Sequence, residues 1–275
     1  MLKRQTCPLC HSERRQVLRT QTGVDTYLEL AGVPSGEVTR EWQRCSDCRH
    51  IFNSIQLEES ELERLYKRFR EEEWRRETPD QYFDRITRLP PEESENHEKA
   101  QLIVINLGSQ LDAGGKLLDI GCGGGVLIDT LQRTLPQGWS FFGVEPTPSF
   151  ASLAERRTRA QIKCSMYGSG LFDSAPFSAA TCCQVLEHVP DPRGFLAKVR
   201  ADLDSDAWFY LEVPDESDFE TLKVNHDRFM SQHISYFSKH VLSQLLEDQG
   251  FKVFQCGIAR TVRQRNNLWF IAKAA

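Results

Sequence analysis

The segment Leu117–Gly125, LLDIGCGGG, joins a short apolar run to a turn that is rich in glycine. The apolar run ends at Asp119, and a helix is predicted to begin near Val126. Glycine lets the backbone turn tightly and approach a ligand closely, because no Cβ stands in the way. In open α/β sheets, ligands bind beyond the carboxyl ends of the strands. The segment therefore predicts a strand–turn–helix unit with a ligand at its turn, although such glycines also occur where they only close a turn.

A second strand, predicted at Phe141–Pro146 (FFGVEP), ends in Glu145, about twenty positions after the glycine turn. A carboxylate at this place can accept hydrogen bonds from both hydroxyls of a ribose. The spacing G-x-G-G-G at residues 121–125 is too compact for the G-x-G-x-x-G turn that holds a pyrophosphate. Asp119 would repel a pyrophosphate, yet it suits a cationic amino acid. Together these features predict a ligand that carries both a ribose and a cationic amino-acid part.

Around these two strands, short apolar runs alternate with segments of helix length. This alternation is typical of βαβ units, which build a parallel sheet. The C-terminal end differs, since a predicted helix at 238–249 is followed by two strand-like runs that are joined by a short basic loop. The predicted fold class is therefore α/β, with a mostly parallel sheet that ends in an antiparallel hairpin. The predicted strands are Lys116–Ile120, Ser140–Val144, Ala180–Leu186, Ala207–Val213, Phe251–Ala259 and Asn267–Ala274.

Two Cys-x-x-Cys pairs lie near the N-terminus, CPLC at residues 7–10 and CSDC at residues 45–48, separated by 34 residues. Two thiolates three positions apart can hold one Zn²⁺ from a tight turn, and a second such turn completes a tetrahedral site. The predicted ligands are Cys7, Cys10, Cys45 and Cys48. Four protein ligands leave no open coordination position, so the zinc is expected to be structural. A pair of redox-active thiols is the alternative, but nothing nearby indicates a thioredoxin-like fold.

These patterns divide the chain into three predicted parts. Residues 1–54 form a small, β-rich zinc-binding module. Residues 55–112 form a helical connector or lid, because 58–76 and 92–111 carry apolar side chains at the spacing of one helix face. This segment is expected to contribute to the substrate pocket. Residues 113–275 form the domain that binds the ribose-containing ligand.

Composition limits the class of protein and its partners. The chain has 275 residues, of which 27% are charged, with a formal net charge of -5, so its overall charge does not favour nucleic acid or an anionic membrane. It contains no apolar stretch long enough for a signal peptide or a membrane span. Its nine cysteines are an odd number, which argues against a secreted disulfide framework. The expected compartment is the cytoplasm.

With these residues in view, the chain resembles the class I S-adenosylmethionine-dependent methyltransferases, which have a Rossmann-like sheet. The resemblance rests on DIGCGGG at 119–125, GVEP at 143–146 and VLEHVPDP at 185–192. It implies that the glycine turn contacts the methionine part of the cofactor, that Glu145 holds its ribose and that residues 163–167 line its adenine. It also implies that Gln184 and Leu186 lie near the sulfonium. The implied cofactor-binding residues are Asp119, Gly121, Cys122, Gly123, Gly125, Glu145, Gln184 and Leu186.

The stretch at 225–238, NHDRFMSQHISYFS, with the N-terminal cysteine pairs, is similar to a bacterial group of zinc-containing methyltransferases that includes sugar C-methyltransferases. Their motif has the form Y-x-E-H-x-x-Y-F-S. Here Gln232 replaces Glu, so this chain lacks the carboxylate partner of that motif, and the aromatic residue nearest to the first Tyr is Phe229. The resemblance implies that His233 is the general base and that the acceptor is a sugar, a natural product or a cell-surface polysaccharide intermediate. His188 and Tyr236 are the other implied catalytic residues.

Alternatives remain for these residues and for the function. His188 is also consistent with a helix-capping residue, and His233 with a packing residue. A base methyltransferase for rRNA or tRNA would explain a zinc module before such a domain. However, the known fingers of that kind have closer ligand spacing, and the chain lacks an Asn-Pro-Pro-Tyr-type motif. A degenerate scaffold domain is disfavoured by the intact glycine turn and by Glu145. A small-molecule acceptor is the favoured partner.

Overall fold

The structure is a computed structural model that describes residues 1–34, 36, 38–69, 75–107, 114–223, 225–262 and 264–275. Parts of two predicted helices, at 70–74 and 108–111, lie outside the described residues, as does the boundary predicted at 112/113. Within the described part of the chain, no helix combines the length and apolarity that a membrane crossing would require.

The largest element is a seven-stranded sheet. Its strands are β6 (Gly115–Ile120), β7 (Trp139–Val144), β8 (Gln161–Lys163), β9 (Phe177–Cys183), β10 (Leu203–Pro214), β12 (Phe251–Arg260) and β13 (Asn266–Ala274). They lie in the order β12-β13-β10-β9-β6-β7-β8. The pairs from β10 to β8 are parallel, whereas β13 is antiparallel to both of its neighbours. The predicted α/β fold with a terminal antiparallel hairpin is confirmed.

Helices cover this sheet. They are α4 (Glu95–Leu107), α5 (Val126–Thr134), α6 (Pro148–Thr158), α7 (Pro192–Ala201) and α9 (Lys239–Asp248). Leu118 and Ile120 of β6 belong to one buried apolar cluster, while Leu117 belongs to another. Because side chains alternate between the two faces of a strand, β6 is buried on both faces, as is usual in a parallel sheet.

The strand predicted at 180–186 ends three residues earlier, at Cys183. Gln184 has a φ of 56°, which is in the left-handed region and is incompatible with a continuing strand. Residues 186–188 then form a single 3₁₀ turn. After this abrupt bend at the carboxyl edge of the sheet, the side chain of Val185 lies against Gly121, the residue that follows β6.

The N-terminal module is a second, four-stranded antiparallel sheet. Three of its strands are β2 (Arg15–Thr22), β3 (Thr39–Cys45) and β4 (Ile51–Asn53), and β11 (Ser235–Tyr236) is the fourth. The strand β11 pairs with β4 and comes from the histidine-containing stretch of the C-terminal part. A short pair, β1 (Leu2–Lys3) with β5 (Ile55–Gln56), lies beside it. The module and the C-terminal part therefore share a sheet.

The shared sheet is held by an aromatic cluster. Trp42 of β3 packs edge-on against Phe219, Phe229 and Tyr236, with ring centroids 5.3 to 6.0 Å apart. Within the described ranges, the other α-helices are α1 (Thr26–Leu30), α2 (Glu59–Arg68), α3 (Pro79–Thr87) and α8 (Asp218–Thr221). Thr78 caps α3 with its side chain, and Pro79 occupies the first turn, where a missing N–H costs nothing.

Candidate active site

The glycine turn after β6 has a geometry that side chains would obstruct. Gly121 has a φ of 75°, and a Cβ there would overlap the side chain of Val185. Gly125 has a φ of 81°, and a Cβ would lie 2.9 Å from Thr158 Cγ2. The backbone N–H of Gly121 donates to the carbonyl of Val144, which fixes the turn against the end of β7. The glycines are therefore required by the turn itself, whatever the turn binds.

Glu145 follows β7 and is almost completely buried. Its Oε2 accepts a hydrogen bond from the N–H of Gly123 at 3.0 Å, and its Oε1 accepts one from the N–H of Thr147 at 2.9 Å. Each carboxylate oxygen retains a further lone pair after these bonds. The carboxylate is thus oriented by the backbone and is suited to a ligand that presents two adjacent hydroxyls.

Asp119, at the end of β6, is 2% exposed and accepts a hydrogen bond from Thr181 Oγ1 at 2.7 Å. Burial raises its pKa to about 7, despite the opposing effects of the Thr181 hydrogen bond and of Lys99. A cationic ligand would stabilise the ionised form of this buried carboxyl group, because its positive charge would compensate for the hydration lost on burial.

A buried ion pair lies beside Asp119, and the sequence did not reveal it. Lys99 Nζ on α4 lies 3.0 Å from Glu212 Oε1 at the end of β10. Burial alone lowers the pKa of Lys99, but Glu212 raises it, and the net pKa is above its usual value. Gln184 also donates to Glu212 Oε1, at 3.2 Å. An acidic residue inside the apolar run YLEV at 210–213 was the available signal.

Two cavities meet at the glycine turn. The first, of about 360 Å³, is bordered by Glu145, Val185, His188 and the segment Ser165–Tyr167. The second, of about 630 Å³, is bordered by Asp119, Lys99, Tyr82 and the turn from Gly121 to Gly124. Gly121, Cys183 and Gln184 border both. An elongated ligand with its ribose at Glu145 and its ammonium group at Asp119 would therefore extend through both cavities.

Most of the predicted cofactor residues meet here, but two do not reach a cavity. Cys122 and Gly123 border the second cavity, and Ser165–Tyr167 border the first, where the adenine is expected. Leu186 is fully buried and borders neither cavity. Gly125 likewise borders neither, so its place is in the geometry of the turn.

The two histidines implicated by sequence lie next to each other, although they are 45 positions apart. Their ring centroids are 4.8 Å apart. His188 Nδ1 lies 2.7 Å from the carbonyl oxygen of Gln232, and His233 Nδ1 lies 2.9 Å from that of Arg228. Burial, together with His188, lowers the pKa of His233 well below its usual range. His188 borders the first cavity, whereas His233 lies behind it and borders neither cavity.

Tyr236 has different surroundings from the histidines. It is fully buried in the Trp42 cluster, its hydroxyl donates to the carbonyl of Arg228 at 3.2 Å, and it borders neither cavity. Its position predicts packing and support of the segment that carries His233. Sequence similarity alone could not separate these roles, because the neighbouring Tyr and His lie on one short motif.

The four N-terminal cysteines converge as predicted. Cys7 Sγ lies 3.5 Å from Cys48 Sγ, and Cys10 Sγ lies 3.5 Å from Cys45 Sγ. Zinc–sulfur bonds of about 2.3 Å in a tetrahedron place sulfurs about 3.8 Å apart, so this thiol set fits one ion. The cysteines form one of the described clusters that could hold a metal.

Comparison with known proteins identifies the class. Residues 66–255 match the family model of a methyltransferase domain. Because this match includes more than half of the chain, the protein belongs to that methyltransferase family. The ubiquinone biosynthesis O-methyltransferase of Methylococcus capsulatus is 35% identical over 91 residues, which are 31% of this chain and 37% of the relative. The chain thus matches well under half the length of this relative.

Solved structures agree on the fold. The magnesium protoporphyrin IX methyltransferase of Synechocystis PCC 6803, with bound S-adenosylhomocysteine, has a TM-score of 0.56 at 14% identity, covering 79% of this chain and 100% of its own. An amino pentose methyltransferase of Micromonospora echinaspora has a TM-score of 0.51 at 15% identity, covering 67% of this chain and 94% of its own. The predicted class, an S-adenosylmethionine-dependent methyltransferase, is confirmed by the family match and this shared fold.

Proposed function

We propose that this protein transfers a methyl group from S-adenosylmethionine to a small-molecule acceptor. The observation that carries the proposal is the pair of adjacent cavities that share Gly121 in their walls, with Glu145 at one and Asp119 at the other. Glu145 would hold the ribose and Asp119 the amino group of the methionine part. When bound, S-adenosylmethionine supplies an electrophilic methyl group on its sulfonium.

The acceptor site is proposed to include the His188–His233 pair. Since both Nδ1 atoms lie against backbone carbonyls, the neutral rings carry their proton on Nδ1 and present Nε2 as the proton acceptor. His233 is the proposed general base, which takes the proton that the acceptor atom loses as it is methylated. His188, at the cavity wall, is proposed to orient the acceptor.

A sugar, a natural product or a cell-surface polysaccharide intermediate is the proposed acceptor. The motif around His233 supports a sugar, while the curated relatives act, by their names, in ubiquinone biosynthesis as O-methyltransferases.

We also propose that the four N-terminal cysteines hold a structural zinc ion and that the protein acts in the cytoplasm.

The proposal is tested by calorimetric titration with S-adenosylhomocysteine, followed by turnover with a panel of nucleotide sugars and phenols. His233→Asn keeps a donor at the Nδ1 position but removes Nε2. It is expected to lower turnover about 10²- to 10⁴-fold with cofactor affinity unchanged. His240→Asn, at an exposed position on α9, is the control. Failure of the wild type to bind S-adenosylhomocysteine would refute the function, and unchanged turnover of His233→Asn would remove His233 from the base role.

A further inference from the structure

Glu187, His188 and His233 form a compact cluster beside the first cavity. One potential ligand atom from each residue lies within 4.8 Å of the others. The cluster joins two distant parts of the chain, because Ile234 donates its N–H to the carbonyl of Glu187. This backbone bond holds the segment that carries His233 against the 3₁₀ turn that carries the other two residues.

Both imidazoles are oriented as metal ligands usually are. A ligating histidine nearly always donates its second ring N–H to a carbonyl or a carboxylate, which fixes its tautomer and its direction. Here the carbonyls of Gln232 and Arg228 take that role at 2.7 and 2.9 Å. Nε2 is therefore the nitrogen that carries the lone pair in each ring, and His188 Nε2 lies 3.9 Å from Glu187 Oε1.

The burial of Glu187 is independent evidence for a bound cation. Its side chain is fully buried, and neither carboxylate oxygen has a hydrogen-bond partner among the described residues. The nearby guanidinium of Arg228 donates to the Asn266 carbonyl and to Asn267 Oδ1, at 2.7 and 2.6 Å. A buried carboxyl group without hydrogen-bond partners is either protonated or compensated by a cation, and a bound metal ion would supply that cation.

The spacing of the cluster also favours an ion. A separation of 3.9 Å between Nε2 and Oε1 is too long for a hydrogen bond. Donor atoms that share one ion at about 2.1 Å lie roughly 3 to 4 Å apart, so small side-chain rotations would bring this set to bonding distance. Two imidazoles with one carboxylate suit Zn²⁺, Mn²⁺, Fe²⁺ or Co²⁺ and leave further coordination positions open.

We propose that Glu187, His188 and His233 bind a divalent transition-metal ion at the wall of the first cavity. Because His188 borders that cavity, the open coordination positions would take an oxygen of the methyl acceptor. The ion would lower the pKa of an acceptor hydroxyl, whose proton then passes to solvent. The inference rests on the proposed methyl transfer and, where the ion is bound, replaces the histidine-base step.

The test is metal stoichiometry measured on the whole protein. The protein is reconstituted with Zn²⁺, desalted and analysed for bound zinc by mass spectrometry. Co²⁺ provides an independent spectrum, because thiolate ligands give an intense near-ultraviolet band that imidazole and carboxylate ligands lack. The variants are Glu187→Gln, His188→Asn and His233→Asn, where each asparagine keeps the donor at the Nδ1 position. His240→Asn is the matched control, and Cys45→Ser removes the other site.

The wild type and His240→Asn are expected to hold a second equivalent of metal beyond that of the cysteine site. Each of the three variants is expected to lose this second equivalent and keep the thiolate band of Co²⁺. Cys45→Ser is expected to lose the thiolate band and the equivalent of the cysteine site, and to keep the second equivalent. A single equivalent in the wild type, or a second equivalent that survives in the asparagine variants, would overturn the proposal. Titration with S-adenosylhomocysteine tests the proposed function separately, since the cofactor cavities do not need the ion.

Discussion

Replacing Glu145 by glutamine tests the cofactor geometry most directly. The change keeps the size of the side chain but replaces one carboxylate oxygen with an amide donor. In the wild type, the N–H of Gly123 and the N–H of Thr147 donate to different oxygens of Glu145. An amide can accept from only one of them, so one buried N–H loses its partner, at a cost of about 1 to 3 kcal/mol in the free energy of unfolding.

Glu145→Gln is expected to reduce the free energy of cofactor binding through the loss of charge, since the size of the side chain is kept. Hydrogen bonds to a charged group contribute about 1.5 to 3 kcal/mol each, and two ribose hydroxyls would donate to Glu145. Since the amide oxygen still accepts one weaker bond, a net loss of about 3 kcal/mol is expected, which raises the dissociation constant about 100-fold. Calorimetric titration with S-adenosylhomocysteine measures it, with urea unfolding as the check of the fold.

Glu155→Gln is the matched control, because it removes the same charge from an exposed position on α6. It should bind S-adenosylhomocysteine like the wild type. If Glu145→Gln is folded and its affinity lies within about threefold of the control, a difference below 1 kcal/mol, the ribose is not held by this carboxylate and the reasoning fails.

Three further predictions follow from other parts of the structure. Gly121→Ala should lose about 1 to 2 kcal/mol of stability and most cofactor affinity, because Gly121 has a φ of 75° and a Cβ there would overlap Val185. Gly168→Ala is the control, because a Cβ at Gly168 would meet open space. Equal unfolding curves for the two variants would contradict this prediction. Cys45→Ser should release zinc and abolish turnover but keep S-adenosylhomocysteine binding. The zinc module is coupled to the segment that carries His233, because Leu9 accepts a hydrogen bond from Arg193 and β4 pairs with β11. Cys256→Ser should neither release zinc nor abolish turnover, and full turnover of Cys45→Ser without zinc would argue against the coupling. Burial raises the pKa of Asp119 from 3.8 to about 7, so the ligand-free fold keeps a proton that the unfolded chain releases between these pH values. The free energy of unfolding should therefore fall by up to roughly 4 kcal/mol as the pH rises from 3.8 to about 7. Asp119→Asn should flatten this pH dependence, and an unchanged dependence would assign it to another group.

Local patterns in the sequence were sufficient to predict the sheet and the cofactor end of the site. The glycine turn, the carboxylate after β7 and the alternation of apolar runs are local signals, because φ above zero and strand periodicity depend on neighbours along the chain. The geometry within each cysteine pair is local for the same reason, and the convergence of the two pairs was predicted because a structural zinc ion needs four ligands.

The way in which distant segments meet depends on tertiary packing and was not predicted. No local pattern indicates that β11 joins the sheet of the N-terminal module, which brings His233 beside His188 and buries Tyr236 under Trp42. The ion pair of Lys99 with Glu212 and the buried carboxylate of Glu187 are equally nonlocal. Their burial follows from the packing of whole elements, and packing depends on long-range contacts that residue spacing along the chain does not encode.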